Sequence, residues 1–325
     1  MKHRVSTFVL AGLIFLVGCG TDYYADKMVM PNTNNGKFDL AMGSSGDDLV
    51  AKGKISDHRQ GLLADGAQID YWLINASADI TTETEGTAMT TILLIHDLGE
   101  SKASLLKLGQ RLSGLGYDVV LPDLRTHGRS SGDFFTYGAK EKKDIQTLMN
   151  ELLRSKTVSP KIIAFGEGVG GSIAIVYAAE DPNCMGVIAF QPYADLRGSL
   201  ESQSTFSMLK EETLDEVIDA GCAKGDFEPA KASPALAAMQ LRCPIRLIRR
   251  KGDMGYDADQ TQRIYDSTSG HKELEIIGMG SEDWSFVTDS TDYLAAQINE
   301  FALGGLVTGY YRDVMKHRRD TTIAP

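Results

Sequence analysis

Short apolar runs alternate along this chain with segments whose apolar residues recur at helical spacing. The runs predict buried strands at 91–95, 117–121, 161–165, 186–190, 245–248 and 273–277. The intervening helical spacing is clearest at 105–112, 144–153 and 293–301. This alternation predicts an α/β fold with a mostly parallel central sheet and helices on both faces. A hairpin is predicted at 61–75, where Asp65-Gly66 supplies the turn.

The glycine-rich stretch 161–177, KIIAFGEGVGGSIAIVY, is where the pattern changes from strand to helix through a sharp turn. Gly166, Gly168 and Gly171 match G-x-G-x-x-G, which in dinucleotide-binding proteins brings backbone N–H groups close to a pyrophosphate. The same stretch matches the G-x-S-x-G nucleophile elbow, except that Gly168 holds the serine position. A dinucleotide fingerprint belongs at the first strand, and here at least two strand–helix units come earlier. The elbow is therefore favoured, and no cofactor is predicted.

The first 18 residues have the organisation of an export signal. Lys2 and Arg4 precede an apolar run that is shorter than the ~20 residues of a membrane-spanning helix. The run ends in Leu-Val-Gly-Cys, at 16–19, which resembles the lipobox of bacterial lipoproteins. That resemblance implies cleavage before Cys19 and acylation of its thiol, whereas an ordinary signal peptide with a chance cysteine is the alternative. It implies a lipid-anchored protein of the cell envelope, and Gly20 after the cysteine indicates the outer membrane, facing the periplasm or the surface, if the cell is Gram-negative.

Composition sets the remaining boundaries. Residues 19–58 are predicted to be a flexible tether, because 20–55 are rich in Asn, Gly, Ser and Asp and poor in apolar clusters. One α/β domain is predicted over 59–303. The glycine pair at 304–305 opens a tail to residue 325 that is predicted to be poorly ordered.

Charge and motif content exclude several kinds of partner. The chain has 33 basic and 44 acidic residues and a net charge of −11, which repels nucleic acids. It contains no H-E-x-x-H motif and no clustered cysteine–histidine ligand set, so no metal is predicted. The predicted partners are the membrane, through the N-terminal lipid, and a small molecule or envelope protein that the sequence does not identify.

Three motifs in order resemble those of a known family. HDLGESKAS follows one strand, PDLRTHGRSSG follows the next, and the glycine elbow comes about forty residues later. Together they resemble an α/β-hydrolase of the serine-aminopeptidase and monoglyceride-lipase type, in which the corresponding motifs are H-G-x-x-x, D-x-R-G-x-G-x-S and G-x-S-x-G. The resemblance covers 59–303 and implies the α/β-hydrolase fold, with a small lid inserted at about 192–239. Hydrolase activity is implied by the resemblance alone.

The catalytic triad of that family is incomplete in this sequence. The nucleophile position is Gly168, which has no side chain, and the histidine position in Gly-Met-Gly-Ser is Ser281. Asp253 matches the acid position, with Asp257 as a rival. Ser172 lies one helical turn beyond the elbow, and we expect it to pack against the sheet. Because loss of a nucleophile alone costs on the order of 10⁶ in rate, no ordinary serine-hydrolase turnover is expected.

Other polar residues fall in the loops at the carboxyl ends of the strands, where such folds place their sites. His96 and His127 are the pair to watch for base or metal chemistry, but hydrogen-bonding roles are preferred for both. The candidates for the oxyanion loop and the pocket are His96, Asp97, Leu98, Glu167 and Val169.

Three cysteines remain after the lipobox. Cys184 and Cys243 each lie two residues before an apolar run, so neighbouring parallel strands would place their thiols at the same sheet end. A disulfide between them is predicted, which leaves Cys222 free; pairing through Cys222 is the alternative.

Two functions from different classes fit these observations. The first is a non-catalytic binding or interaction module, a pseudoenzyme on a hydrolase scaffold. The second is an active ester or peptide hydrolase that uses non-family residues near His96, Asp97 and Glu167. Reactivity towards an activated ester separates the two.

Overall fold

The computed structural model describes residues 20–31, 45–77, 90–251, 258–277, 290–305, 307–310 and 313. Eight strands form one sheet in the order β1-β2-β4-β3-β5-β6-β7-β8. The strands are β1 Asp57–Leu62, β2 Gln68–Ile74, β3 Thr90–Ile95, β4 Asp118–Pro122, β5 Lys161–Glu167, β6 Cys184–Phe190, β7 Ile245–Arg250 and β8 Lys272–Ile277. From β4 to β8 all neighbours are parallel, while β1 and β2 pair antiparallel to each other and β2 to β4. This is the α/β-hydrolase fold.

Ten helices are labelled in chain order. The first, α1, spans 20–29. The others are α2 Gly46–Ala51, α3 Leu106–Gly114, α4 Glu141–Arg154, α5 Val169–Glu180, α6 Leu196–Glu201, α7 Glu211–Gly225, α8 Pro234–Ala238, α9 Ala258–Ser267 and α10 Ser290–Leu303. Short 3-10 turns cover Lys102–Leu105 and Pro229–Ala232. None of the helices in this described part is long and apolar enough to cross a membrane.

The central strands are buried on both faces, as an apolar run without alternation predicts. In β3, Leu93 and Ile95 enter a core layer shared with α1, α4, α5 and the segment between β6 and β7. Ile92 and Leu94 enter the opposite layer with α3 and α10. Helix α5 is buried around most of its circumference, which holds its first turn firmly against the sheet edge.

The predicted lid segment, 192–239, contains helices α6, α7 and α8 and lies between β6 and β7. Helix α7 directs Leu214, Val217 and Ile218 inward, as its sequence predicts. Ser233 begins α8 by accepting a hydrogen bond from the N–H of Leu236.

The predicted flexible tether is wrong for 20–31 and 45–58. Helix α1 buries Ala25, Met28 and Val29 completely in the main core. Helix α2 begins at a capping box formed by Ser45 and Asp48. The prediction failed because the polar composition of 31–48 was extended to 20–29, where apolar residues recur at helical spacing. Cys19 and the signal segment, 1–18, lie outside the described residues.

The tail also departs from its predicted disorder near its start. Residues 307–310 are helical, and Val307 is fully buried against the core. Tyr310 packs on the main core layer. The domain boundary at 303 was therefore placed too early by at least one helical turn.

Candidate functional site

The candidate site lies where the carboxyl ends of β3 and β5 meet. These strands are parallel neighbours, and Ile95 pairs with Gly166. The loop after β3 begins at His96, and the turn after β5 leads directly into α5. Residues predicted to flank the pocket are therefore brought together from two separate motifs.

The turn after β5 has the tight strand–turn–helix form of an elbow. Gly168 has φ 53° and ψ −119°, a conformation that side-chain-bearing residues rarely adopt. Its N–H donates to the carbonyl of Phe190 at 2.9 Å. A Cβ on Gly170 would lie 2.4 Å from the carbonyl oxygens of Ile95 and His96, so the glycines allow the helix to approach β3 closely. The structure fits the elbow rather than the dinucleotide loop.

The side chain of Asp97 occupies the space above the elbow. One carboxylate oxygen, Oδ1, accepts the backbone N–H groups of both Leu98 and Val169, each at 2.7 Å. A Cβ on Gly168 would lie 2.3 Å from the same oxygen. A side chain at position 168 would therefore require the Asp97 carboxylate to shift.

The two N–H groups that Asp97 accepts have a defined role in α/β-hydrolases. The oxyanion hole of that fold consists of the N–H after the nucleophile and an N–H from the loop after β3. Val169 and Leu98 supply these donors here. The positions of the two N–H groups match those of oxyanion-hole donors, and the Asp97 carboxylate accepts both.

Burial perturbs two carboxyls at this site. It raises the pKa of Asp97 to about 6, against the lowering effect of the hydrogen bonds from Leu98 and Val169. It raises the pKa of Glu167 to about 7, and the neighbouring charges of Glu100 and Asp97 add to that increase. The charge of Arg250 acts in the opposite direction on Glu167. The site therefore holds carboxyls that gain protons near neutral pH.

His96 is a buried structural residue. Its Nδ1–H donates to the carbonyl of Asp97 at 2.8 Å, and its Nε2 accepts the N–H of Leu124 at 3.0 Å. This pattern assigns the neutral tautomer. Burial lowers the pKa of His96 to about 4, so the ring stays uncharged at neutral pH. It links the loops after β3 and β4.

His127 is held in the same way. Its Nδ1–H donates to the carbonyl of Arg125 at 2.9 Å, while Nε2 accepts the N–H of Gly99 at 3.3 Å. Burial lowers the pKa of His127 to about 3, with a further contribution from His96, whose ring centroid is 5.2 Å away. Both ring nitrogens of each histidine are committed to backbone groups, which agrees with the predicted hydrogen-bonding roles.

Ser172 is buried and hydrogen-bonded to the loop after β6. Its Oγ accepts the N–H of Tyr193 at 2.8 Å and lies 3.1 Å from the carbonyl of the same residue. These bonds anchor the loop to α5.

The remaining triad positions cannot be placed. Asp253, its rival Asp257, and Ser281 lie outside the described residues. Their assignments stay predictions from the sequence.

Cys184 and Cys243 lie at the same end of neighbouring strands, as expected, but they are not joined by a disulfide. Cys184 begins β6, and Cys243 lies just before the neighbouring parallel strand β7. All three of Cys184, Cys222 and Cys243 are buried free thiols. Hydrogen bonding with Cys243, together with burial, raises the pKa of the Cys184 thiol. The predicted disulfide is therefore not formed in this structure.

A buried ion-pair cluster supports the loop after β4, and the sequence reasoning did not predict it. Lys102 is completely buried between Asp70, at 2.7 Å, and Asp123. Arg125 makes a two-pronged contact with Asp144 through Nε and Nη2, both at 2.7 Å. The D-x-R part of PDLRTHGRSSG was the available signal, since it places two charges next to a buried strand.

Within the described ranges, no group of three or more His, Cys, Asp or Glu side chains could hold a metal ion.

Comparisons with known proteins agree with this geometry. The family model described as serine aminopeptidase, S33, matches residues 86–222. A solved esterase of Pyrococcus furiosus, Pf2001, superposes with a TM-score of 0.58 at 18% identity over 83% of this chain and 98% of that one. The chain has the α/β-hydrolase fold, and residues 86–222 resemble that superfamily in sequence.

Two curated relatives resemble the chain over part of their lengths. The uncharacterized protein YqkD of Bacillus subtilis is 26% identical over 214 residues, 62% of this chain and 68% of that protein. Human monoglyceride lipase is 27% identical over 140 residues, 41% of this chain and 44% of the lipase. The chain thus spans less than half of that lipase.

Proposed function

We propose that this α/β-hydrolase homologue is lipid-anchored in the cell envelope and serves as a non-catalytic binding or interaction module. The observation that carries the loss of catalysis is the position of Asp97. Its carboxylate accepts both oxyanion-hole donors and lies where a nucleophile on Gly168 would begin.

The geometry opposes hydrolysis at three steps. Gly168 supplies no attacking atom. Asp97 competes with a substrate carbonyl for the N–H groups that would stabilise the tetrahedral intermediate. His96 and His127 are buried and bonded to backbone groups through both nitrogens, so neither serves as the base.

The proposed anchor is the acyl group on Cys19, supported by the lipobox resemblance and the short apolar run before it. The proposed partners are the bilayer and either a small molecule or an envelope protein. A mature acidic body fits an envelope surface and disfavours nucleic acid.

One observation favours a second candidate, hydrolysis of an ester or peptide by non-family residues. The pKa of Glu167 is raised to about 7, which suits a general base near neutral pH. Its neighbours Asp97 and Glu100 are acidic, and they repel the anionic intermediate that such a base would create.

Labelling with a fluorophosphonate and turnover of an activated ester test the proposal. The wild-type protein should give no more signal than a heat-treated sample. The second candidate would be established by turnover well above that control that Glu167→Gln abolishes. The control variant Glu151→Gln, which changes an exposed residue of α4, should retain that turnover.

A further inference from the structure

Helix α1 is fixed to the lid segment. Met28 packs so closely on α7 that a Cβ added to Gly221 would lie 2.6 Å from its sulfur. Lys224 of α7 pairs with Asp26 at 2.6 Å. Thr21 donates to Glu216, also on α7, at 3.2 Å. Helix α1 is therefore packed on and bonded to helix α7 of the lid segment.

The end of α1 is bonded to the body of the domain as well. The N–H of Phe135 donates to the carbonyl of Val29 at 2.8 Å, and the Tyr137 hydroxyl donates to the carbonyl of Met28 at 3.2 Å. These bonds hold the helix in one place on the surface.

This arrangement fixes where an N-terminal lipid would emerge. Helix α1 begins at Gly20, and Cys19 is the preceding residue, so their Cα atoms are only about 3.8 Å apart. An acyl group on Cys19 thus starts at the lid side of the molecule rather than at the end of a forty-residue tether.

The surface beside this point exposes aromatic, apolar and basic side chains. Tyr23 is 56% exposed and Met208 is 91% exposed. The rings of Tyr23, Tyr24 and Phe206 follow one another with centroids 5.3 Å and 6.2 Å apart, which places the loop carrying Met208 next to α1. Lys27 lies over the Tyr23 ring, and Lys210 is exposed on the same loop. We call Tyr23, Lys27, Met208 and Lys210 the anchor-side patch.

We propose that the anchor-side patch lies on a bilayer surface, so that the lid faces the membrane; this rests on the proposed acylation of Cys19. Tyrosine and lysine are favoured at the headgroup level, and an exposed methionine adds apolar contact. The net charge of −11 disfavours anionic lipids and favours a zwitterionic surface.

Thiol accessibility tests this orientation. Met208→Cys introduces a thiol in the patch, and Leu62→Cys introduces one at an exposed site on β1, where Leu62 is 69% exposed. Each variant, acylated and reconstituted in phosphatidylcholine vesicles, is treated with a polyethylene-glycol maleimide. The same variants carrying Cys19→Ala, which cannot be acylated, provide the unbound reference. The parent chain measures background from the buried native thiols.

Membrane attachment should slow labelling of Met208→Cys by about tenfold or more and leave Leu62→Cys unchanged. Equal labelling of attached and unattached Met208→Cys would overturn the orientation, while acylation seen by mass spectrometry would keep the anchor intact. If mass spectrometry finds no acyl group on Cys19, both the anchor and the orientation are wrong. Slower labelling of both variants would indicate general shielding and would also overturn the orientation.

Discussion

The loop after β4 and the elbow after β5 lie at the same edge of the sheet, but they handle buried charge in different ways. Around the first loop, Lys102 and Arg125 neutralise the carboxylates that surround them. At the elbow, backbone N–H groups hold Asp97, and burial raises the pKa values of both Asp97 and Glu167. The supporting framework keeps the family pattern, whereas the reacting positions do not. Under the proposed non-catalytic function, the architecture around the site is kept while its chemistry is lost.

The charged framework should show the largest effect on stability. Lys102→Met leaves Asp70 and Asp123 buried without their cation, and we expect a loss of about 3–5 kcal/mol in the free energy of unfolding. Denaturant titration measures it. Lys107→Met, on the exposed side of α3, is the matched control and should change stability little. Equal losses in the two variants would contradict the role assigned to the cluster.

Substitutions at the elbow should change ester hydrolysis. Gly168→Ser with Ser281→His restores two triad positions but keeps Asp97, whose carboxylate competes for the two oxyanion-hole donors. Adding Asp97→Gly should raise ester turnover by a further factor on the order of 10²–10³, the usual effect of oxyanion stabilisation. Steady-state hydrolysis of an activated ester compares the double and triple variants. If the double variant is already as active as the triple, Asp97 does not block the hole.

The clash between positions 97 and 168 can be measured without catalysis. Gly168→Ala combines an unfavourable φ with a contact at 2.3 Å, and we expect about 1–3 kcal/mol of coupling with Asp97→Gly in a double-mutant cycle. Gly66→Ala is the control, because Gly66 has φ +86° but open space around it. Additive effects of the two elbow substitutions would show that Asp97 moves aside easily.

The smallest predicted effect is the pH dependence that Glu167 gives to the free energy of unfolding. Because the pKa of Glu167 is raised from its usual 4.5 to about 7, its contribution to stability is complete below pH 4.5 and is lost as the pH rises through 7. Glu167→Gln should therefore be more stable than wild type at pH 8, on the order of 1–2 kcal/mol. Thermal unfolding between pH 5 and 8 follows it, with exposed Glu151→Gln as control. A wild type and a Glu167→Gln variant with parallel profiles would refute the assignment.

The sequence predicted the order of strands and helices because apolar runs and helical spacing are local properties. The replacement at Gly168 was equally visible, since it lies inside a recognisable motif. The occupation of the oxyanion hole was not predicted, because it depends on a side chain from the β3 loop reaching the start of α5. The signal was present in His96-Asp97, where the family motif has glycine after histidine.

The error at the N-terminus has a different cause. Asn, Gly and Ser between 31 and 48 dominated the composition of the whole segment, although Ala25, Met28 and Val29 lie at helical spacing. Whether α1 is ordered depends on its contacts with α7, more than 180 residues away in sequence. Composition averaged over a long window cannot detect such contacts.

Asp97 gives the site a resting state that hydrolases reach only during turnover. When an ester or peptide is cleaved, the acid that is released can remain with a carboxylate oxygen on the two N–H donors. Here that acid is part of the polypeptide and cannot diffuse away. The arrangement thus resembles an enzyme–product complex in which Asp97 takes the place of the acid product on the N–H groups of Leu98 and Val169.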